Sequence, residues 1–138
     1  MNNLDKSKTS SLRVEKSSLN GNVTLSGSKH SAMAIISISL LIDEEIIIEN
    51  FPFNMLDPIR QLKLISKLGK EYELNEKQLI IRKTKRSLNN ILDSKLSTRF
   101  TLLLLAALLI KKGKGSVPIP KGCDIGDRKI DLYYEFFD

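Results

Sequence analysis

One cysteine, one histidine and no tryptophan stand among the 138 residues. A lone cysteine excludes an internal disulfide. A lone histidine excludes a histidine pair for a proton relay, and with one cysteine there is no Cys/His quartet for zinc, so no metal is expected. Seven glycines and four prolines are too few for a collagen-like or low-complexity chain. Aromatic residues make up only 6%, a poor supply for stacking bases, and nucleic acid is not an expected partner. The longest apolar run, residues 100–110, is about half of the ~20 residues a membrane-spanning helix takes, and Arg99 and Lys111 close it at both ends. It reads as a buried helix, and no membrane partner is expected. No secretory pattern opens the chain, which leaves the cytoplasm as the default compartment.

What remains is ample for one globular domain. Hydrophobic residues are 41% and charged residues 28%, with 22 Lys and Arg against 16 Asp and Glu, a formal charge of +6. Such a surplus favours anionic partners, although a lysine-rich solvated surface gives the same count.

Residues 1–10 are polar and read as a flexible end. Residues 11–15 alternate as a short strand, Asn20-Gly21 marks a turn, and residues 22–26 set Val23 and Leu25 against polar neighbours as in a half-buried strand. Residues 31–42 (SAMAIISISLLI) form a buried helix, and Ile46-Ile47-Ile48 is a strand by its β-branching. After the Asn50-Phe51-Pro52 loop, Asp57-Pro58 looks like a cap followed by proline in the first helical turn. Ile59, Leu62, Ile65 and Leu68 then repeat at helical spacing, and Gly69 stops the helix. Residues 71–74 and 78–81 form a hairpin about residues 75–77. The expected order is β-α-β-α-β-β. It then begins again, with a weak strand at 90–93, a helix at 97–111, a turn at 113–115, a strand at 116–119 and a helix at 130–137. Leu40, Leu41, Ile42 and Pro52 match Leu108, Leu109, Ile110 and Pro120, each pair at the same interval, which argues for one unit used twice. The second copy lacks a closing hairpin, so the chain is expected to be part of something larger.

Two strand-to-helix junctions are rich in chemistry. The segment from Pro120 to Arg128 carries two glycines that let backbone N–H groups approach a ligand, and Cys123, a thiol with Lys121 and Arg128 nearby. Cations lower a thiol's pKa and make it a better nucleophile or acid, whereas an inert cysteine in a turn is the plain alternative. The other junction, Ser26-Gly27-Ser28-Lys29-His30, pairs a helix N-terminus with a lysine and suits an anion, without the spacing of a Walker loop. Arg99, in the first turn of an apolar helix, offers a planar fork for phosphate or carboxylate, or simply ends a core helix in solvent. Asp57 is better explained as a cap than as a base.

Together these segments resemble the enolpyruvyl transferase family. Its SGAKN strand end and small-residue helix match residues 25–30 and 32–41, its NVP segment matches Asn50-Phe51-Pro52, and its R-A-S helix start is reduced to Arg99-Phe100-Thr101. Its PGGC-x-IG-x-RP-[VI]-DLH loop, the most specific part, matches residues 120–133. The resemblance implies an α/β (α+β) fold of repeated βαβαββ units from an inside-out α/β barrel, here one complete unit (residues 22–88) and one truncated unit (residues 89–138). Residues 11–21 would be a leader strand belonging to a second domain.

The resemblance also implies roles. Cys123 is the catalytic thiol that adds phosphoenolpyruvate, acts as general acid and is alkylated by fosfomycin. Lys29 meets phosphoenolpyruvate, and His30 stands where the family has an asparagine. Arg99 holds a phosphate-bearing substrate, Arg128 holds the phosphoenolpyruvate carboxylate, and Lys129, Ile130, Asp131 and Leu132 border a uridine pocket. The implied substrates are phosphoenolpyruvate and UDP-N-acetylglucosamine, in a step of peptidoglycan synthesis that uses no cofactor. The family's opposite domain supplies an aspartate base and another arginine that have no counterpart here, so a second domain or complementing chain is an implied partner. The chain alone is expected to turn over poorly, and a non-catalytic paralogue binding a nucleotide sugar or a partner chain is the alternative. Lys121 replaces a loop glycine, His30 the amide, Lys129 a proline and Tyr133 a histidine.

Overall fold

A computed structural model describes residues 13–75, 78–84, 87–89, 95–120 and 131–137. Its elements run α1 (Lys29–Ile38), a 3-10 turn (Ser39–Leu41), β1 (Ile46–Glu49), α2 (Leu56–Lys67), β2 (Tyr72–Leu74), β3 (Gln78–Ile81), α3 (Thr101–Lys112) and α4 (Asp131–Phe137). The strands make one antiparallel sheet in the order β1-β3-β2. Its register pairs Ile46 with Ile81, Ile48 with Leu79 and Tyr72 with Ile81, so these side chains share the face turned to the core. Ile47, Ile80 and Glu73 take the other face, as strand alternation requires.

The core lies between that face and the helices. Ile36, Leu40, Leu62, Leu64, Ile65, Leu68, Leu104 and Leu108 are buried against Leu79 and Ile81. Ser37 near the end of α1 and Ser39 in the following turn return their hydroxyls to the carbonyls of Met33 (2.8 Å) and Ile36 (2.6 Å). α2 lies along α1 in the same direction. Lys29 meets Asp57 at their starts, Gln61 in the middle of α2 reaches Ser37 in the last turn of α1, and beyond their ends Lys70 donates to the Ile42 carbonyl. α3 is parallel to α1 by the same test, since His30 packs on Phe100 at one end and Asp43 pairs with Lys111 at the other. Asp43 and Lys111 are 68 residues apart, the interval that relates the two similar sequence segments.

Several sequence expectations hold. Gly69 follows the C-cap of α2 with φ +102, and Gly113 caps α3 with φ +69, both in the region glycine alone occupies freely. The hairpin is present, with Asn75 accepting from the Gln78 N–H (2.9 Å).

Others need correction. Residues 22–26 take no regular secondary structure, and Val23 and Leu25 are 85% and 78% exposed. Alternation marks a strand only where another strand supplies its hydrogen bonds, and among the described residues none does. Residues 13–15 are likewise not a strand, and in the 116–119 segment only Ser116 sits in a β-bridge. Asp57 is not a cap: α2 begins at Leu56 after Met55, leaving Asp57 and Pro58 within its first turn. Residues 1–12, 90–94, 121–130 and 138, which hold the expected flexible end, the weak strand and the cysteine loop, lie outside the described residues.

The C-terminal turns of α2 (Lys67) and α3 (Lys111, Lys112) carry cations, as their dipoles favour. Lys70, 1% exposed, donates to the Ile42 carbonyl and to the Thr84 hydroxyl, each at 2.6 Å. Burial pushes its pKa below the ordinary lysine value, Lys111 adds to this and Asp43 opposes it. A neutral amine still has two N–H groups for these two acceptors. Between the lowered folded value and the ordinary one, the unfolded chain binds the extra proton, so Lys70 adds stability as pH rises through that interval. In urea melts the stability gap between the native chain and Lys70→Met is expected to widen from neutral pH toward the ordinary lysine value. A gap that stays constant would show that Lys70 keeps its proton throughout.

Candidate functional site

Because the three core helices are parallel, their N-termini share one end of the molecule. The first four N–H groups of a helix lack intrahelical partners and carry the positive end of its dipole. Ser28 caps α1 by accepting from the Ser31 N–H (3.3 Å), so the expected helix start is present although no strand precedes it among the described residues. Behind it the chain touches the loop after β1: a Cβ placed on Gly27 would lie 2.0 Å from the Asn50 carbonyl oxygen. Asn50 itself has φ +52, a conformation asparagine tolerates, and it turns the chain into the buried Phe51 and Pro52.

Lys29 and His30 are the first two residues of α1. The Lys29 ammonium is 3.3 Å from Asp57 Oδ2, and the other carboxylate oxygen is 3.5 Å from Arg60 Nη1. All three side chains are partly open to solvent, so the cluster carries a net charge of +1 in reach of a ligand. The His30 ring lies against Phe100, with centroids 5.9 Å apart and a tilt of 46°. That contact brings Arg99, half-buried in the turn before α3, to the same end.

The Arg99 turn is held from beneath by a buried polar network. Thr98 donates to Gln61 Oε1 (2.8 Å), Gln61 Nε2 donates to Ser37 (2.9 Å) and to the Phe100 carbonyl (3.4 Å), and the Thr98 N–H donates to Thr101 Oγ1 (2.9 Å). Ser37, Gln61, Thr98 and Thr101 are all buried. One glutamine from α2 thus ties α1 to both residues that flank Arg99.

Of the expected site residues, Lys29, His30 and the Arg99 turn are brought together. Asp131 and Leu132 open α4 and are exposed. Cys123, Arg128, Lys129 and Ile130 lie outside the described residues, so their expected roles stand as proposals. Sequence reasoning missed Asp57, Arg60, Phe100 and Gln61 as neighbours of the cluster. Lys29 and Asp57 are 28 residues apart, a separation no local pattern reports. A depression of about 630 Å³ lies at the sheet and is lined by Glu45, Glu71, Tyr72, Glu73, Arg82 and Lys83. Its central Arg82 is engaged by Glu73 (2.5 Å) and Glu45 (2.7 Å), and the hydrogen bond from Arg82 holds the Glu73 carboxyl below its ordinary value. Among the described residues no group of acidic, cysteine or histidine side chains is placed to hold a metal ion, and no helix is long and apolar enough to cross a membrane.

The family model for EPSP synthase (3-phosphoshikimate 1-carboxyvinyltransferase) matches residues 14–138. The chain belongs to the EPSP synthase family. The family assignment agrees with the mixed α/β architecture and its small antiparallel sheet. Among curated relatives, the UDP-N-acetylglucosamine 1-carboxyvinyltransferase of Prochlorococcus marinus (strain MIT 9515) is 36% identical over 132 residues, which is 94% of this chain and 29% of the relative. Enzymes of the same name from Buchnera aphidicola subsp. Baizongia pistaciae (strain Bp) and Pelagibacter ubique (strain HTCC1062) are each 36% identical, over 83% and 85% of this chain and 28% of their own length. This EPSP synthase-family chain thus spans less than a third of the curated relatives it matches.

Proposed function

We propose that the chain carries the phosphoenolpyruvate-binding portion of a UDP-N-acetylglucosamine 1-carboxyvinyltransferase, within one complete and one truncated βαβαββ unit. In that reaction the sugar's 3′-hydroxyl gives its proton to a base as its oxygen bonds to C2 of phosphoenolpyruvate and C3 gains a proton; the tetrahedral adduct then loses a C3 proton as the C2–O bond to phosphate breaks, which restores the double bond and releases phosphate. The observation that supports the reading is the meeting of Lys29, His30 and the Arg99 turn where three helix N-termini converge. Two cations and three dipole ends there suit a substrate with a phosphate and a carboxylate, and they stabilise the charge that accumulates as phosphate leaves. Cys123 adds to C2 of phosphoenolpyruvate or protonates C3, Arg128 binds the carboxylate, and the segment from Lys129 through Ile130 and Asp131 to Leu132 borders the uridine. A base on a second domain or complementing chain completes the site, and without it turnover by these 138 residues is low.

Intact-mass spectrometry of the chain after exposure to fosfomycin tests the thiol. The expected result is one adduct of the whole epoxide on Cys123, absent from Cys123→Ser and slowed in Lys29→Ala. No adduct under conditions that label a full-length relative would overturn the reading of Cys123 as a reactive thiol.

A further inference from the structure

The Lys29 ammonium already has a counter-ion. Asp57 Oδ2 sits 3.3 Å from it, and Arg60, three residues along α2, is 3.5 Å from the other oxygen of the same carboxylate. The two faces of one carboxylate are thus shared between a cation on α1 and a cation on its own helix. Asp57 is not the cap of α2, which starts a residue before it; it stands in the first turn, where the helix dipole favours its negative charge beside Lys29. Its side chain is 39% exposed, as is that of Lys29, so both are open to whatever approaches the helix ends. We propose that Asp57 is a specificity-determining residue, an internal competitor that occupies Lys29 until an anion displaces it, while Arg60 keeps the displaced carboxylate in place. The inference rests on Lys29 being an anion contact, as proposed above, and adds what regulates that contact.

The physical consequence is selectivity. An incoming anion must replace Asp57 at the ammonium and also tolerate a carboxylate that stays nearby on Arg60. A small anion such as inorganic phosphate gains one cation and meets one repulsion, so it binds poorly. Phosphoenolpyruvate has a second anionic group for other donors, the exposed helix N–H groups and the Arg99 turn among them. The cluster of Lys29, Arg60 and Asp57 has a net charge of +1, and neutralising Asp57 raises it to +2. For a phosphate close to a partly exposed ammonium, one removed unit charge is worth about fivefold in affinity at low salt.

Nuclear magnetic resonance titrations of the 138-residue chain with inorganic phosphate, and then with phosphoenolpyruvate, read this directly at the amides of residues 28–31 and 57. In Asp57→Asn, phosphate is expected to bind about fivefold more tightly than in the native chain, with a smaller gain for phosphoenolpyruvate, so that the preference between the two narrows. Asp57→Glu should behave as the native chain. Asp57→Ala, favourable in a helix, gives the same tightening and serves if the amide variant does not fold. Phosphate affinity unchanged or weakened in both neutral variants, with binding still lost in Lys29→Ala, would overturn the role of Asp57 and leave the anion site standing. No shift at these amides with either ligand, in any form of the chain, would overturn the anion site itself and this inference with it.

Discussion

Replacing Gly27 with alanine is expected to cost ~3 kcal/mol of stability and to disable the Lys29 end of the helix layer. The added Cβ would lie 2.0 Å from the Asn50 carbonyl oxygen, 3.2 Å from its carbon and 3.4 Å from Pro52 Cδ. Contacts below 3.0 Å essentially never occur at a real Cβ, and the obstacle is backbone rather than a side chain that can rotate away. The Asn50 side of the contact is the more firmly fixed. Asn50 closes β1 in a left-handed conformation, and Phe51, 3% exposed, anchors the loop in the core. Residues 26–28 must therefore move outward, carrying the Ser28 cap and Lys29 away from Asp57. Thermal melts should show Gly27→Ala lowered by roughly 10 °C, while Ser26→Ala, a change at an exposed neighbour, stays within about 0.5 kcal/mol of the native chain. Phosphate-induced shifts at residues 28–31 should be lost together with the stability. A variant melting like the native chain with its anion shifts intact would mean that the two loops do not touch in solution.

Gly27 also shows how far a sequence carries such an argument. Its place at a junction before a helix is legible, because small residues with a lysine at a helix start have a local meaning. The close approach to Asn50 is not, since it joins positions on either side of α1 and β1. The same division runs through the fold. Ile59, Leu62, Ile65 and Leu68 specify α2 by spacing, Gly69 its end, and residues 75–78 the hairpin, because each signal involves atoms a few bonds apart. Residues 22–26 satisfy the strand pattern equally well, yet a strand exists only when distant chain supplies its ladder. Asp57 shows the limit at the site. Next to Pro58 it has every local mark of a cap, but a cap is decided by where the first helical turn begins, and Met55 rather than Asp57 precedes that turn. What the carboxylate does is set by Lys29 on another helix. Lys29, His30 and Arg99 were recognisable as helix-start residues; that they meet depends on the parallel packing of α1 with α2 and α3.

That packing depends in turn on Gln61, and Gln61→Leu is expected to cost ~3 kcal/mol while loosening the turn that holds Arg99. Leucine fills much of the volume, so the loss is of hydrogen bonds rather than of a cavity. Thr98 Oγ1 loses its acceptor at 2.8 Å, and the Ser37 hydroxyl and the Phe100 carbonyl lose the donors they share at 2.9 and 3.4 Å. Buried polar groups left without partners cost about 1–3 kcal/mol each, and rotation of the Thr98 hydroxyl recovers only part of this. Thr98 and Phe100 flank Arg99, so anion binding at the helix ends should weaken along with the fold. Gln61→Glu separates the two effects. Its carboxylate still accepts from Thr98 but offers no donor to the Phe100 carbonyl, and burial disfavours its charge, raising its folded pKa above the unfolded value. Stability of Gln61→Glu should therefore recover as pH falls through that raised value, when a protonated carboxyl again donates, whereas Gln61→Leu shows no such recovery. Parallel pH dependence in the two variants would place Gln61 outside the network that holds the Arg99 turn.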